Sequence, residues 1–113
     1  MMNTLSEAIA HFEGEGFTEH FGVRGNQLLG FESGTRFGAH EVVIRGFDRF
    51  EGISDPDDMA ILYTIETRSG LRGTLTDAFG VYSNPQVGAF VSDVALEAHR
   101  GARRSVRRER RQP

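Results

Sequence analysis

The sequence predicts an α+β domain with an N-terminal helix, an antiparallel meander sheet of about five or six strands, and a C-terminal helix packed on one face. Two kinds of pattern support this class. Apolar residues recur at helical spacing near each end of the chain, and three central segments of strand composition are separated by turn residues. The length of 113 residues is that of one domain.

The first predicted helix begins after Thr4. Thr4 and Glu7 form a capping-box pattern, in which each side chain accepts a hydrogen bond from a free backbone N–H of the first turn. The apolar face of this helix consists of Leu5, Ala8, Ile9 and Phe12. Gly16 can take the left-handed conformation that ends a helix. Residues 17–39 combine short apolar pieces with five glycines, which indicates short strands joined by tight turns.

The central meander is predicted as three antiparallel strands over residues 41–50, 59–68 and 71–82. A three-residue loop ending at Gly70 suits the second hairpin, because this loop type needs a left-handed residue at that position. The loop pairs Tyr63 with Leu75 and Met59 with Phe79. In this register the apolar side chains of both strands share one face.

The C-terminal helix is predicted to begin with Asn84 as its N-cap and Pro85 at its first position, where the missing N–H costs nothing. Its apolar stripe consists of Val87, Phe90, Val91, Val94 and Ala98. This stripe is expected to cover one face of the sheet.

Charge divides the chain into two parts. Residues 1–99 contain 15 Asp or Glu and six Arg, for a net charge of −9, whereas residues 100–113 contain seven Arg and one Glu, for a net charge of +6. We therefore expect one α+β domain over residues 1–99 and a disordered Arg-rich tail over residues 100–113, because helical extension would stack like charges. Its candidates for sequence-nonspecific contact with nucleic-acid phosphates are Arg103, Arg104, Arg107, Arg108, Arg110 and Arg111. A solubilising tail, or one folded against the acidic body, is the alternative.

Composition disfavours several classes of protein. The absence of Cys excludes disulfides and thiolate chemistry, and the absence of Lys removes the lysine of a phosphate-binding loop. The four His residues have no ligand-like spacing. The sequence has no apolar run of membrane-spanning length and no secretory signal pattern. We therefore expect a cytoplasmic protein that uses no cofactor and contacts no membrane.

Three aspartates in the segment "SDPDD" form the first candidate site. Asp55, Asp57 and Asp58 surround Pro56, a pattern that suits a turn in which the carboxylates bond local backbone N–H groups. A weak metal or phosphosugar site is the alternative. The turn is the preferred interpretation, because the residues that follow form an apolar strand rather than the remaining ligands of a calcium loop.

Asp48 and Asp77 are candidates for a pair of buried carboxylates. Asp77 is predicted to lie opposite Ile61, and Asp48 would flank Ile61 on the other side if Phe50 pairs with Met59. Such a pair could share a proton or hold a cation, with raised pKa values. The alternatives are a register that differs by one residue, or acids at the rim of the sheet paired with arginines.

Three blocks of the chain carry a resemblance: "TLSEAIAHFEGEGFTEHF", "RFEGISDPDDMAILYTI" and "GLRGTLTDAFGVYS". Over roughly residues 3–95 the chain resembles a family of small bacterial proteins that often carry the label "phosphoribosylpyrophosphate synthetase". A phosphoribosyl-binding loop needs paired acids followed by a Thr-Gly-x-Thr turn, whereas these acids run into a strand. The residues therefore do not support that label, and the resemblance implies no catalytic residues.

Taken together, these patterns predict a small non-catalytic binding or regulatory module. Two alternatives stay open: sequence-nonspecific nucleic-acid binding through the Arg-rich tail, and a metal- or phosphosugar-dependent enzyme that uses the acidic loop. A homodimer is the partner arrangement that the sequence also leaves open.

Overall fold

The structure of the protein is a computed structural model that describes residues 4–50, 60–78 and 83–110, with the backbone alone described over 100–110. Its helices are α1 (Leu5–Gly14) and α2 (Pro85–Arg110), and a 3₁₀ turn spans Ala39–Glu41. Its strands are β1 (Glu19–Arg24), β2 (Gln27–Gly30), β3 (Arg36–Phe37), β4 (Val42–Phe50), β5 (Ala60–Thr67) and β6 (Arg72–Ala78). Among the described residues, no helix is long and apolar enough to cross a membrane.

The six strands form one sheet in the order β3-β2-β1-β6-β5-β4. This confirms the predicted α+β class, with one refinement. Four of the neighbouring pairs are antiparallel, but β1 and β6 run parallel. The β1–β3 unit and the β4–β6 unit are thus joined by the pairing of β1 with β6. Strand composition alone does not reveal whether such a pair is parallel or antiparallel.

The register of the second hairpin is as predicted. Tyr63 pairs with Leu75, and Gly70 has a φ of 99°, in the left-handed region. Its N–H donates to the carbonyl of Thr67 at 3.0 Å. The predicted pairing of Met59 with Phe79 lies outside the described residues.

The register between β4 and β5 changes part-way along the strands. Val42 to Ile44 pair in the predicted register, but a β-bulge between Ile44 and Gly46 shifts every later pair by one residue. Phe50 therefore lies opposite Ala60 instead of Met59. The extra residue is Arg45, and a bulge of this kind bends the strand and increases its twist.

The short connection between the two edge strands shows that the sheet is strongly curved. A flat six-stranded sheet would separate β3 from β4 by about 24 Å. The chain from Phe37 to Val42 can span at most about 18 Å. The edges must therefore approach each other, and α2 packs on the concave face, where both of these residues are buried.

Each helix covers one face of the sheet. The stripe Val87, Phe90 and Val94 places α2 in the main core, and the Asn84 side chain caps α2 by accepting the Gln86 N–H at 2.9 Å. On the other face α1 packs against β5 and β6. There the capping box of α1 is present as predicted.

The helical backbone of α2 continues to Arg110, past the predicted end of the domain at residue 99 and into the Arg-rich tail. The side chains of residues 100–110 lie outside the described set. The predicted disorder of the tail in solution stays a prediction.

Candidate functional site

An apolar groove lies between α2 and the β4–β5 side of the concave face, and we call it the β4–β5 groove. Its volume is about 460 Å³. The apolar side chains that form its floor and one wall include Ile44, Phe47, Ile61 and Tyr63 from the sheet and Val91 and Val94 from α2. These strand residues come to one face because the bulge lets Ile44 and Phe47, three positions apart, point the same way.

One row of side chains across the sheet shows where the groove opens. Phe47, Tyr63, Leu75 and Phe21 are consecutive partners on β4, β5, β6 and β1. Phe47 is 58% exposed, whereas Leu75 is 1% and Phe21 is 4% exposed. Since α2 covers the β6–β1 end of this row, the β4 end keeps an uncovered aromatic surface.

Polar groups stand at the ends of the groove. Arg68, which directly follows β5, and His40, in the 3₁₀ turn before β4, line one end. Arg49 lines the other end, near Ile61. The Arg68 Nε donates to the His40 carbonyl at 2.6 Å, and the Arg68 backbone N–H donates to the carbonyl of Glu41 at 2.8 Å. The Arg68 side chain is thus fixed at its base.

The phenol of Tyr63 is the hydroxyl group of the groove floor. Burial raises its pKa, the charge of Asp77 raises it further, and Arg49 opposes the shift in part. Tyr63 therefore stays protonated at neutral pH, and its hydroxyl can donate a hydrogen bond to a molecule in the groove.

A cluster of Glu13, His20 and Glu32 joins α1, β1 and the loop between β2 and β3. His20 Nδ1 lies 2.5 Å from Glu32 Oε2, and His20 Nε2 lies 2.7 Å from Glu13 Oε2. The hydrogen bond to Glu32 raises the pKa of His20, burial opposes this, and the bond to Glu13 adds to it. The backbone N–H of His20 is the main group that lowers the pKa of Glu32. The cluster is therefore a bridge from one imidazole to two carboxylates, which favour its charged form, and it fastens three elements together.

A second cavity, of about 340 Å³, lies where the parallel strands β1 and β6 end. Its polar lining includes His20, Thr74, Thr76, Asp77 and Asn84. The Asp77 carboxylate accepts the Asn84 N–H at 3.1 Å, which ties the end of β6 to the start of α2. The polar groups at this end of the cavity thus hold the fold together.

The structure separates the two predicted carboxylates. Asp77 lies opposite Ile61, as predicted, but Asp48 lies opposite Leu62. Because adjacent residues of a strand point to opposite faces, Asp48 and Asp77 are on opposite sides of the sheet. The register that would place Asp48 beside Ile61 is wrong, since the bulge at Arg45 shifts this part of β4 by one residue.

The remaining candidates keep the status of predictions. Asp55, Asp57 and Asp58 lie outside the described residues, as do Arg111 and the side chains of the other tail arginines. Within the described ranges, no group of three or more His, Asp or Glu side chains is arranged to hold a metal ion. His11 pairs with Glu15 at 3.3 Å along α1, as a surface histidine would.

Sequence reasoning missed both the groove and the His20 cluster. Glu13, His20 and Glu32 are separated by 7 and 12 residues, so no local spacing rule joins them. The groove had a weak signal: Val42, Ile44 and Phe47 are apolar at intervals of two and then three, which is the spacing of a strand with a bulge.

No protein-family model, curated protein or solved structure matches the chain. The resemblance seen in the three sequence blocks therefore stays an expectation, and the function is argued from the site itself.

Proposed function

We propose that the protein is a small non-catalytic binding module whose β4–β5 groove holds a small organic molecule with an apolar body. The observation that supports this is the uncovered end of the Phe47–Tyr63 row beside a groove of about 460 Å³. Ligand pockets typically have volumes of roughly 300–1,000 Å³ and are lined mainly by apolar and aromatic groups with a few polar ones. The groove has this size and composition.

The chemistry of the lining favours binding over catalysis. The groove offers two guanidinium groups, a phenol that stays protonated, one imidazole at its rim and the Glu97 carboxylate. A general base here would have to be His40 or Glu97, but Glu97 has an interaction partner of its own and the His40 imidazole lies 3.6 Å from Glu41. Asp77, the carboxylate nearest to Tyr63 on β6, is engaged by the N–H of Asn84.

The test is a fluorescence titration with N-phenyl-1-naphthylamine, a neutral apolar probe that brightens when it leaves water. We expect saturable binding to the full chain, and about tenfold weaker binding by Phe47→Ala, because a large part of one aromatic contact is lost. The matched control is Phe31→Ala, which removes a phenylalanine of similar exposure, 51%, outside the groove. It should bind the probe within about twofold of the unchanged chain.

Two outcomes would contradict the proposal. One is the absence of saturable binding, and the other is equal weakening by both alanine variants, which would show that the probe senses general apolar surface. Light scattering on the same samples tests the predicted homodimer. A dimer whose formation competes with the probe would show that a second copy occupies the groove.

The cytoplasmic location predicted from the sequence belongs to this proposal as well. A module of this kind would meet its ligand in the cell interior, and fractionation of producing cells measures this. Recovery of the protein in an extracellular or membrane fraction would argue against it.

A further inference from the structure

We infer that the ligand of the β4–β5 groove is an elongated amphipathic carboxylate, whose head group binds Arg68 and whose apolar body extends over Tyr63 towards Ile61. This inference rests on the proposed function. It adds the chemical class of the ligand, its direction in the groove and the residue that recognises its head.

Two other arginines of the sheet, Arg45 and Arg72, have partners that can be compared with the surroundings of Arg68. Arg45 forms an ion pair with Glu66 at 2.9 Å. Arg72 lies over the Phe17 ring, 4.1 Å from its centroid. Each of these guanidinium groups therefore has a partner inside the domain.

Arg68 differs from both. Its only side-chain hydrogen bond to the described residues is the one from Nε to the His40 carbonyl, and none of their carboxylates pairs with it. The four remaining N–H groups on the two Nη atoms form the planar fork that binds a carboxylate through two parallel hydrogen bonds. Because Arg68 is exposed and lines the groove, this fork is available at the groove's end.

The charge around Arg68 favours a head group with a single negative charge. The body of the protein, residues 1–99, has a net charge of −9, so an anion gains nothing from the general field of the protein. Glu97 also lines the groove and has an interaction partner of its own. His40 lies 3.6 Å from Glu41. Arg68 pairs with no carboxylate of the described residues, and in these acidic surroundings it suits a singly charged planar carboxylate better than a more highly charged phosphate.

The length of the apolar groove floor favours a long ligand. Arg68 directly follows β5, and Tyr63 and Ile61 lie five and seven residues earlier on that strand. At the rise of a β-strand these positions are roughly 16 and 23 Å away. The apolar floor therefore extends well beyond a head group held by Arg68, which favours a long apolar body over a compact one.

The experiment measures displacement of N-phenyl-1-naphthylamine by decanoate and by decan-1-ol at pH 7.5, on the full chain. The two competitors share the apolar body and differ in the head group. We expect decanoate to bind about tenfold more tightly than decanol, because a charge-assisted hydrogen bond outweighs a neutral one at a partly exposed site. Arg68→Gln should remove this preference by weakening decanoate about tenfold while leaving decanol within twofold.

The matched control is Arg36→Gln, which removes an exposed arginine on β3, outside the groove. It should change neither competitor, and Arg68→Lys should give an intermediate preference because lysine keeps the charge without the fork. Equal competition by both molecules, or an Arg36→Gln effect as large as that of Arg68→Gln, would overturn the inference. If the inference fails but Phe47→Ala still weakens probe binding, the proposed function stands without the inference. If the probe does not bind at all, the proposed function and the inference are both wrong.

Discussion

The β6–β1 side and the β4–β5 side belong to one sheet, but they are packed to different degrees. On the first side α2 and the sheet enclose Leu75 and Phe21 almost completely. On the second side Phe47, in the same row, is 58% exposed. The helix is too narrow to cover the whole concave face of a curved sheet, because an α-helix with its side chains is about 10–12 Å across. The uncovered strip is the groove.

Among the described residues, the two exposed phenylalanines, Phe31 and Phe47, show the same contrast. Phe31 lies over Gly22, where an added Cβ would lie 2.5 Å from the ring, and the Arg24 guanidinium stacks 5.5 Å from its centroid. Phe47 contacts the Tyr63 ring at a centroid distance of 6.4 Å and otherwise borders the groove. The two side chains are therefore similarly exposed but differently packed. Phe31 already lies on Gly22 and the Arg24 guanidinium, whereas Phe47 borders an open groove.

The largest expected effect compares two residues of that one row. Leu75→Ala should lower the free energy of unfolding by about 3 kcal/mol, because it leaves a cavity in the enclosed side. Phe47→Ala should lower it by less than about 1 kcal/mol, because most of this ring already faces water. Urea unfolding of both variants measures the difference. Equal losses would mean that the two sides are equally packed.

A smaller effect is expected from a pair of glycines. A Cβ at Gly73 would overlap the carbonyl of Glu19 across the parallel β1–β6 contact, so Gly73→Ala should destabilise the fold by about 2–3 kcal/mol. A Cβ at Gly46 would meet only the Thr64 hydroxyl, at an ordinary 3.6 Å. Gly46→Ala should therefore change the stability by less than about 0.5 kcal/mol, or raise it slightly. Thermal unfolding of the two variants measures this difference. A loss of stability for Gly46→Ala as large as that for Gly73→Ala would contradict the prediction.

The smallest effect concerns the His20 bridge, which extends from β1 to α1 on the face of the sheet opposite α2. Since folding raises the pKa of His20, the bridge contributes fully below its unfolded pKa of about 6.5 and is lost as the pH rises through the folded pKa. The side chain is 40% exposed, so solvent weakens the pairs and the loss between pH 6 and 9 should be about 1 kcal/mol.

The variant that tests this bridge is His20→Gln, followed by urea unfolding across the same pH range. It should abolish that part of the pH dependence. His11→Gln, which removes an exposed histidine paired with Glu15 along one helix, is the control and should retain it. A pH profile that His20→Gln leaves unchanged would show that the bridge contributes nothing.

Local rules predicted much of the fold. The capping box at Thr4 and Glu7, the N-cap at Asn84, and the turn at Gly70 each depend on residues within a few positions of one another. The pairing of Tyr63 with Leu75 followed from that turn, because loop length sets hairpin register.

The features that were missed depend on contacts between distant parts of the chain. The parallel contact of β1 with β6 joins residues more than fifty positions apart, and the direction of that contact has no local signature. The bulge at Arg45 did leave a trace in the spacing of Ile44 and Phe47. The prediction of an uninterrupted strand ignored it, and this single residue moved Asp48 to the other face.

The bulge also creates one position in β4 where a residue can be deleted without turning the later side chains over. Removing one residue from the interior of a strand ordinarily turns every later side chain to the opposite face. Arg45 is the exception, since the ladder on either side already skips it and would close up with Gly46 still opposite Thr64. Deletion of Arg45 would remove its ion pair with Glu66 and reduce the bend of the strand, but Phe47 would still face the groove. In related chains, a single-residue gap at this point is therefore compatible with an intact site, and a gap elsewhere in β4 is not.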